Sequence, residues 1–428
     1  MVTSASIATQ YEELLATRRA LEPTLSQKLF TWSLLGLKIH SWVMLVEEYY
    51  GGVPQVVKYV LALFFLFSMF YMLLRRPLTL KYYGGLAPAI LIFSIYSLIL
   101  VAQSFRFETR YLQFVLAAKY YVMPFFFPVF ILMIRFDIRW FKYVMSFSLK
   151  FLPVLLLVQL SVLAMMNQDL WQEHLFRMHM FNFGLPLVLL NMNYLIAQKW
   201  QRNLLLLYFL LLVVIGSIYG RRGYVLDIVF LLSAYYALMS LNRVVSIKKK
   251  VRAFVLVLGS VMAFIFALGF LKDNLYIFQR GFDSDAWDET RGSILIDFFA
   301  DFGTVAGDWI WGRGLDGTVL RSMNEEEGGV GNIIENGYLF TLLKAGGLYL
   351  LLMVLIFLWS AFLAFFRSRN YLVKSFATIL VLHLVIMVAF NLPVFSSEYV
   401  VVWICVVLCN SSELRKLSDE EVKLILNV

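Results

Sequence analysis

Apolar residues run through this chain in long blocks rather than at the three-and-four spacing of a soluble helix face. The blocks lie near 29–46, 57–74, 84–103, 111–134, 143–166, 178–197, 203–219, 224–241, 253–271, 337–365, 373–391 and 398–410. Most approach or exceed the roughly 18–20 residues that cross a hydrocarbon core. Lipid cannot hydrogen-bond an open backbone, so such blocks are expected to be helices. The short alternating segments of a β-barrel are absent. The expected fold is therefore all-α: a polytopic integral membrane protein of about twelve transmembrane helices. The first block is the weakest, since Lys38 and His40 interrupt it. The sixth carries Asn182, Asn191 and Asn193, which places it facing the bundle rather than lipid.

Composition agrees. The chain is 61% hydrophobic and 15% charged, with a mean hydropathy of +0.77, more apolar surface than a soluble domain hides. The net charge of +9 would suit a nucleic-acid partner, but topology accounts for it. With the N-terminus inside, the segments 1–28, 75–82, 135–142, 198–202, 242–252, 366–372 and 411–428 are cytoplasmic, and they hold most of the lysines and arginines. The first 28 residues lack the apolar core of a signal peptide. Cys405 and Cys409 stand one turn apart in an apolar run, which fits neither a disulfide framework nor a metal site.

One hairpin breaks the charge rule. In "SIYGRRGYVLD" (217–227), Arg221 and Arg222 fall on the outer side. Flipping the hairpin would send the five basic residues of 242–252 outward, a worse violation. Charge misplaced at membrane depth is a functional candidate, although an arginine pair also snorkels to anchor a hairpin. Asp227, over a turn deeper, is expected to pair with one of them.

The chain therefore divides into a cytoplasmic N-terminal segment (1–28), spans one to nine (29–271), a long outer loop (272–336), spans ten to twelve (337–410) and a cytoplasmic tail (411–428). The loop holds thirteen carboxylates against five basic residues. Within it, "DETRGSILIDFFADFG" (288–303) places Ile294, Leu295, Phe298, Phe299 and Phe302 on one helical face, with Asp297 and Asp301 on another. This predicts an amphipathic helix lying over the bundle. "WIWGRGLDG" (309–317) reads as a structural turn, without the strand–turn–helix setting of a nucleotide loop. Trp287, Trp309 and Trp311 suit an interfacial aromatic belt or, more sharply, sugar stacking. His174 and His179 are five apart and share no helical face, so they suggest no metal site.

Three features collect on the outer side: Arg221/Arg222, Arg291 opening the loop helix, and Glu335-Asn336 at the mouth of the tenth span. Arginine binds phosphate oxygens bidentately and keeps its charge, so these residues suit a diphosphate held at headgroup level. Glu335 could accept a proton from a hydroxyl, with Asn336 and Tyr338 in support. Plainer roles stand beside these: Arg291 pairing with Asp288 or Glu289, and Glu335 favoured by a helix N-terminus.

The second half, roughly 203–391, resembles the bacterial O-antigen polymerase and ligase superfamily. The resemblance rests on "GSIYGRRGYVLDIVF", "ETRGSILIDFFADF", "DWIWGRGLDG" and "ENGYLFTLLKAGGLYLLLMVLIF" occurring in that order; the first 200 residues match only in hydropathy. It implies a glycosyltransferase of the bacterial inner membrane, acting at the periplasmic face on sugars linked to undecaprenyl diphosphate, without metal or other cofactor. Position by position, Arg221 or Arg222 and Arg291 match the arginines that hold the donor diphosphate. The ligase branch carries histidine where this chain has Glu335, which favours a polymerase of O-antigen, capsule or exopolysaccharide. The implied partners are lipid-linked oligosaccharides and membrane lipid, with a chain-length regulator and a flippase acting alongside, and no nucleic acid. A ligase of the same fold is one alternative. A flippase or transporter is another, although that class usually shows paired repeats with broken helices.

Overall fold

The computed structural model describes residues 22–50, 54–104, 115–116, 120–164, 184–192, 196, 198–218, 222–241, 293–320, 330–331, 334, 336–388 and 392–427. The chain is mostly helical, and among the described residues five helices are long and apolar enough to cross a membrane: Gln55–Arg75, Leu80–Gln103, Ile138–Leu157, Lys199–Gly216 and Gly337–Arg367. Three shorter apolar helices, Val225–Met239, Tyr371–Met387 and Ser397–Asn410, accompany them. The ninth predicted span, the basic segment 242–252 and much of the outer loop lie outside the described residues.

In chain order the helices are α1 (Leu25–Tyr50), α2 (Gln55–Arg75), a 3-10 turn (Leu80–Leu86) leading into α3 (Ala87–Gln103), α4 (Met123–Ile131), α5 (Ile138–Ala164), α6 (Leu185–Leu190), α7 (Lys199–Ile218) and α8 (Arg222–Leu241). Two loop helices follow, α9 (Ser293–Phe302) and α10 (Ala306–Trp311), with the strands β1 (Val319–Leu320) and β2 (Val330–Gly331) paired antiparallel. Then come α11 (Gly337–Arg367), α12 (Tyr371–Met387), α13 (Ser397–Asn410), α14 (Ser412–Lys416) and α15 (Asp419–Asn427).

α13 is the axis of the bundle. Every residue of it except Glu398 is buried, as expected of a helix that is apolar all round. Between helices in lipid the drive is packing rather than escape from water, and aromatic rings fill the contacts here. Trp403 lies 5.1 Å from Phe93 and 4.9 Å from Phe357, centroid to centroid. Phe127 meets Tyr399 edge-on at 5.6 Å. Cys405 and Cys409 are free and buried in the same axis.

Several polar groups inside the bundle are matched to named partners. Lys38, which weakened the first apolar block, donates to Glu398 at 2.5 Å. His40 bonds the Leu116 carbonyl at 3.0 Å. Asn191 donates to Ser375 at 2.6 Å and is fully buried, so the part of the sixth block that is described does face the bundle. Its described helix is α6; residues 178–183, 193–195 and 197 of the block lie outside the described residues. The described helix of the fourth block is short. Pro124 and Pro128 occupy α4, and the backbone breaks before Arg135 to form a bridge between Pro77 and Ile134.

The Lys38–Glu398 pair gives a first testable consequence. The side chains are only 17% and 32% exposed, so removing one partner strands a charge. Glu398→Ala is expected to cost about 3 kcal/mol, whereas Lys38→Met with Glu398→Leu approaches neutrality. Thermal unfolding in detergent checks this; equal loss in the single and double variants would contradict it.

One end of the bundle collects the basic segments. Arg76 pairs with Asp137, and Arg135 with Glu413 at 2.7 Å. Asn370 donates to the Leu414 and Leu417 carbonyls, and Asp419 accepts from the Tyr371 amide. The opposite end carries the loop helices. These are the basic end and the loop end of the bundle.

Candidate functional site

The loop end is organised around α12. Tyr371, its first residue, interacts electrostatically with Tyr235 in the last third of α8, so α8 runs antiparallel to it and Arg222 starts at the loop end. α11 is fastened to the same end. Asn336 caps it, accepting from the Tyr338 and Leu339 amides at 3.0 and 3.1 Å. The Asn336 side chain also donates to the Val388 carbonyl at 2.7 Å, and the Tyr338 hydroxyl donates to Leu384 at 2.7 Å. The start of α8 and the start of α11 are thus brought to one end by one helix.

Of the residues expected to carry chemistry, Arg221, Arg291 and Glu335 lie outside the described residues. Arg222 is described as the first residue of α8, without its side chain. Asp227 lies within α8, and its Oδ1 is buried with no hydrogen-bond partner among the described residues; the expected pairing with Arg221 or Arg222 falls outside them. Asn336 and Tyr338 are described: the Asn336 oxygen caps α11, while its amide nitrogen and the Tyr338 hydroxyl hold α11 to the end of α12.

The amphipathic loop helix is present as α9, but its buried stripe is narrower than the sequence suggests. Phe298 and Phe302 are fully buried, whereas Leu295, Ile296 and Phe299 are exposed. Asp301 does not simply face solvent. It accepts from Arg313 at 2.5 Å and from the Leu320 amide at 3.0 Å. Arg313 also reaches Asp308 at 2.6 Å and the carbonyls of Thr318 and Asp301 at 2.8 and 3.0 Å. Its hydrogen bond holds the Asp301 carboxyl below the usual carboxylate range, and Asp301 in turn raises Arg313. The arginine of "GRGLDG" is therefore a structural lock, as the reading of a turn requires.

That lock sits against a break in α11. Gly346 has φ +76°, outside helical geometry, and splits the 31-residue element in two. A Cβ there would lie 2.2 Å from the Ile310 carbonyl, and one on Gly312 (φ +72°) would lie 2.6 Å from the Gly346 amide nitrogen. Two glycines let the backbone of α10 touch the backbone of α11. The Arg313 amide donates to the Leu343 carbonyl at 2.7 Å, and the Tyr96 hydroxyl donates to Ala345 at 2.9 Å. Trp311 stacks on Tyr96 at 6.0 Å, and Trp309 on Phe299 at 6.1 Å. Counting about 1.5 Å per residue from Arg367, Gly346 lies about 30 Å away, one hydrocarbon thickness. The exposed tryptophans then occupy the boundary where aromatic belts sit.

Sequence reasoning missed Lys344. It is 1% exposed, donates to the Gly317 carbonyl at 2.7 Å, and lies over the rings of Tyr121 and Phe340 at 5.4 and 5.9 Å. A lysine eight residues into an apolar block was the available signal. The loop end thus presents two helix starts, a hydrogen-bonded loop floor with the buried Lys344 amine beneath it, and exposed apolar surface. Such an arrangement can hold an anionic headgroup beside a lipid tail. No family model, curated protein or solved structure matches this chain.

Proposed function

We propose that the protein is a polysaccharide polymerase, a glycosyltransferase that joins polyprenyl-diphosphate-linked oligosaccharide repeat units at the outer face of a bacterial cytoplasmic membrane. The reading extends to twelve spans, both described ends of the chain on the cytoplasmic side, and a periplasmic loop between spans nine and ten. The observation that carries it is that the Arg222 helix start and the Asn336 helix cap lie at the same end of the bundle. That supports a site assembled from the sequence motifs that resemble the O-antigen polymerase superfamily.

The chemistry follows from the residue types. Glu335 takes the proton of an acceptor sugar hydroxyl, whose oxygen attacks the anomeric carbon of the donor. The bond from that carbon to the diphosphate oxygen breaks, and polyprenyl diphosphate leaves with the electron pair. Arg222 or Arg221, with Arg291, stabilises the charge growing on the leaving group. Two membrane-anchored substrates held in one place replace a chance encounter by a near-intramolecular reaction. Direct attack inverts the anomeric centre.

Polymerisation of purified lipid-linked repeat units tests this. Arg222→Ala and Arg291→Ala should each lower the rate by about 10²–10³, and Glu335→Gln by about 10²–10⁴, with unchanged expression. Full activity in all three variants would reject the site, and a product of retained configuration would reject direct attack.

A further inference from the structure

At the basic end, two interhelical connections are braced against each other. The Leu78 amide donates to the Met133 carbonyl at 2.7 Å and the Arg135 amide to the Arg76 carbonyl at 2.9 Å. Asp137 is secured by Arg76, by Gln27 at 2.9 Å and by the Trp140 amide at 3.0 Å. Burial alone would raise the Asp137 carboxyl, but these donors outweigh it and hold it below its ordinary range. Between these connections and the start of α14 opens a cleft of about 630 Å³ that contains Arg75, Arg76, Arg135 and Arg139. That volume lies within the usual range of small-ligand sites.

The four arginines are not equally committed. Arg76 is tied to Asp137. Arg135 holds Glu413, but the two side chains are 51% and 74% exposed, so that pair exchanges at little cost. Arg75 only overlies the Tyr71 ring, at 5.5 Å. Arg139 has no carboxylate partner among the described residues. Two guanidinium groups, and a third on exchange, therefore face a cleft whose one carboxylate besides the exchangeable Glu413 is already neutralised. Leu74, beside Arg75, is 81% exposed, so the cleft opens where the lipid-facing surface of α2 ends. Snorkelling explains basic residues at such a level, but not a preformed cleft with braced walls.

We propose that this cleft binds a phosphate ester, with Arg75 and Arg139 as its principal ligands and Arg135 joining on release from Glu413. The two sources of that chemistry are the phosphodiester of an anionic phospholipid in the adjoining leaflet and a soluble phosphate. Basic clefts between helix ends at a membrane surface suit the first. The site lies at the end opposite the proposed transfer site and does not depend on it.

The test uses the full chain in phosphatidylcholine nanodiscs with and without phosphatidylglycerol, and separately in detergent with inorganic phosphate. Arg75→Gln with Arg139→Gln is compared with Arg367→Gln with Lys416→Gln, which removes equal charge at the same end outside the cleft. Arg139→Lys, which keeps the charge, serves as the folding control. Retained phosphatidylglycerol should fall by about tenfold or more in the cleft variant alone, which assigns a lipid headgroup. Thermal protection by inorganic phosphate that is lost only in the cleft variant assigns a soluble phosphate. Equal losses in both charge variants, or no preference for phosphatidylglycerol over phosphatidylcholine together with no phosphate effect, would overturn the site.

Discussion

Gly346→Val will undock the loop from α11. The native φ of +76° and ψ of 174° form a conformation essentially confined to glycine and cost an L-residue about 1–3 kcal/mol, and a β-branched one more. The new Cβ would also lie within 2.5 Å of the Gly312 nitrogen and the Trp311 carbonyl carbon, both backbone atoms that cannot rotate away. Either α10 leaves or α11 straightens, and the total exceeds about 4 kcal/mol, the range reserved for a change of local structure. Gly346→Ala should lie between Val and wild type. Gly307→Ala is the control: a Cβ there meets nothing within 4 Å, and its effect should stay within about 0.5 kcal/mol. Limited proteolysis between residues 303 and 318 checks both. Unchanged cleavage in Gly346→Val would refute the docked arrangement.

Arg313→Ala will loosen the same loop by another route. It leaves Asp301 and Asp308 facing each other without their shared cation and removes the donor that two carbonyls use. The three side chains keep only 14–20% of their exposure, so the cost falls between that of an exposed and a deeply buried pair, about 2–3 kcal/mol. Asp301→Asn should cost less, because the amide oxygen can still accept a hydrogen bond. The pH dependence has a definite sign. Arg313 depresses the folded-state pKa of Asp301, so the stabilisation is complete above the ordinary carboxylate value of about 3.9 and is lost as pH falls through the lower folded value. Protection from hydrogen exchange over 293–320, relative to the intrinsic rate at each pH, should therefore fall in acid in the wild type and be lowered already at neutral pH in Arg313→Ala. Equal protection in the two proteins at neutral pH would rule the lock out.

Much of the fold was legible because hydrophobic blocks report burial in lipid directly. α2, α7, α8, α12 and α13 fall within a few residues of their predicted bounds, and Asn191 faces inward as its polarity requires. The break in α11 was not legible: a glycine pair inside an apolar run is also compatible with an unbroken helix, and only the approach of α10 demands a positive φ. The Arg313 lock was hidden for a related reason, since its partners are five and twelve residues away and face one another only once α9 and α10 fold back. Lys344 was missed because a hydropathy pattern carries no information about its Gly317 partner. Of the candidate site, the helix cap at Asn336 and the start of α8 at Arg222 are placed, while Arg221, Arg291 and Glu335 were readable as motifs alone.

The break at Gly346 also makes the protein a gauge of bilayer thickness. A continuous helix of 31 residues would be about 46 Å long and could tilt to fit almost any membrane. Split as it is, the part from Gly347 to Arg367 measures about 30 Å, and the shorter piece is bolted through Asn336, Tyr338, Leu343 and Ala345 to its neighbours. Mismatch with longer or shorter acyl chains then falls on α9 and α10 rather than on the spanning helix. The choice of lipid thereby sets the height at which the loop sits above the spanning helix.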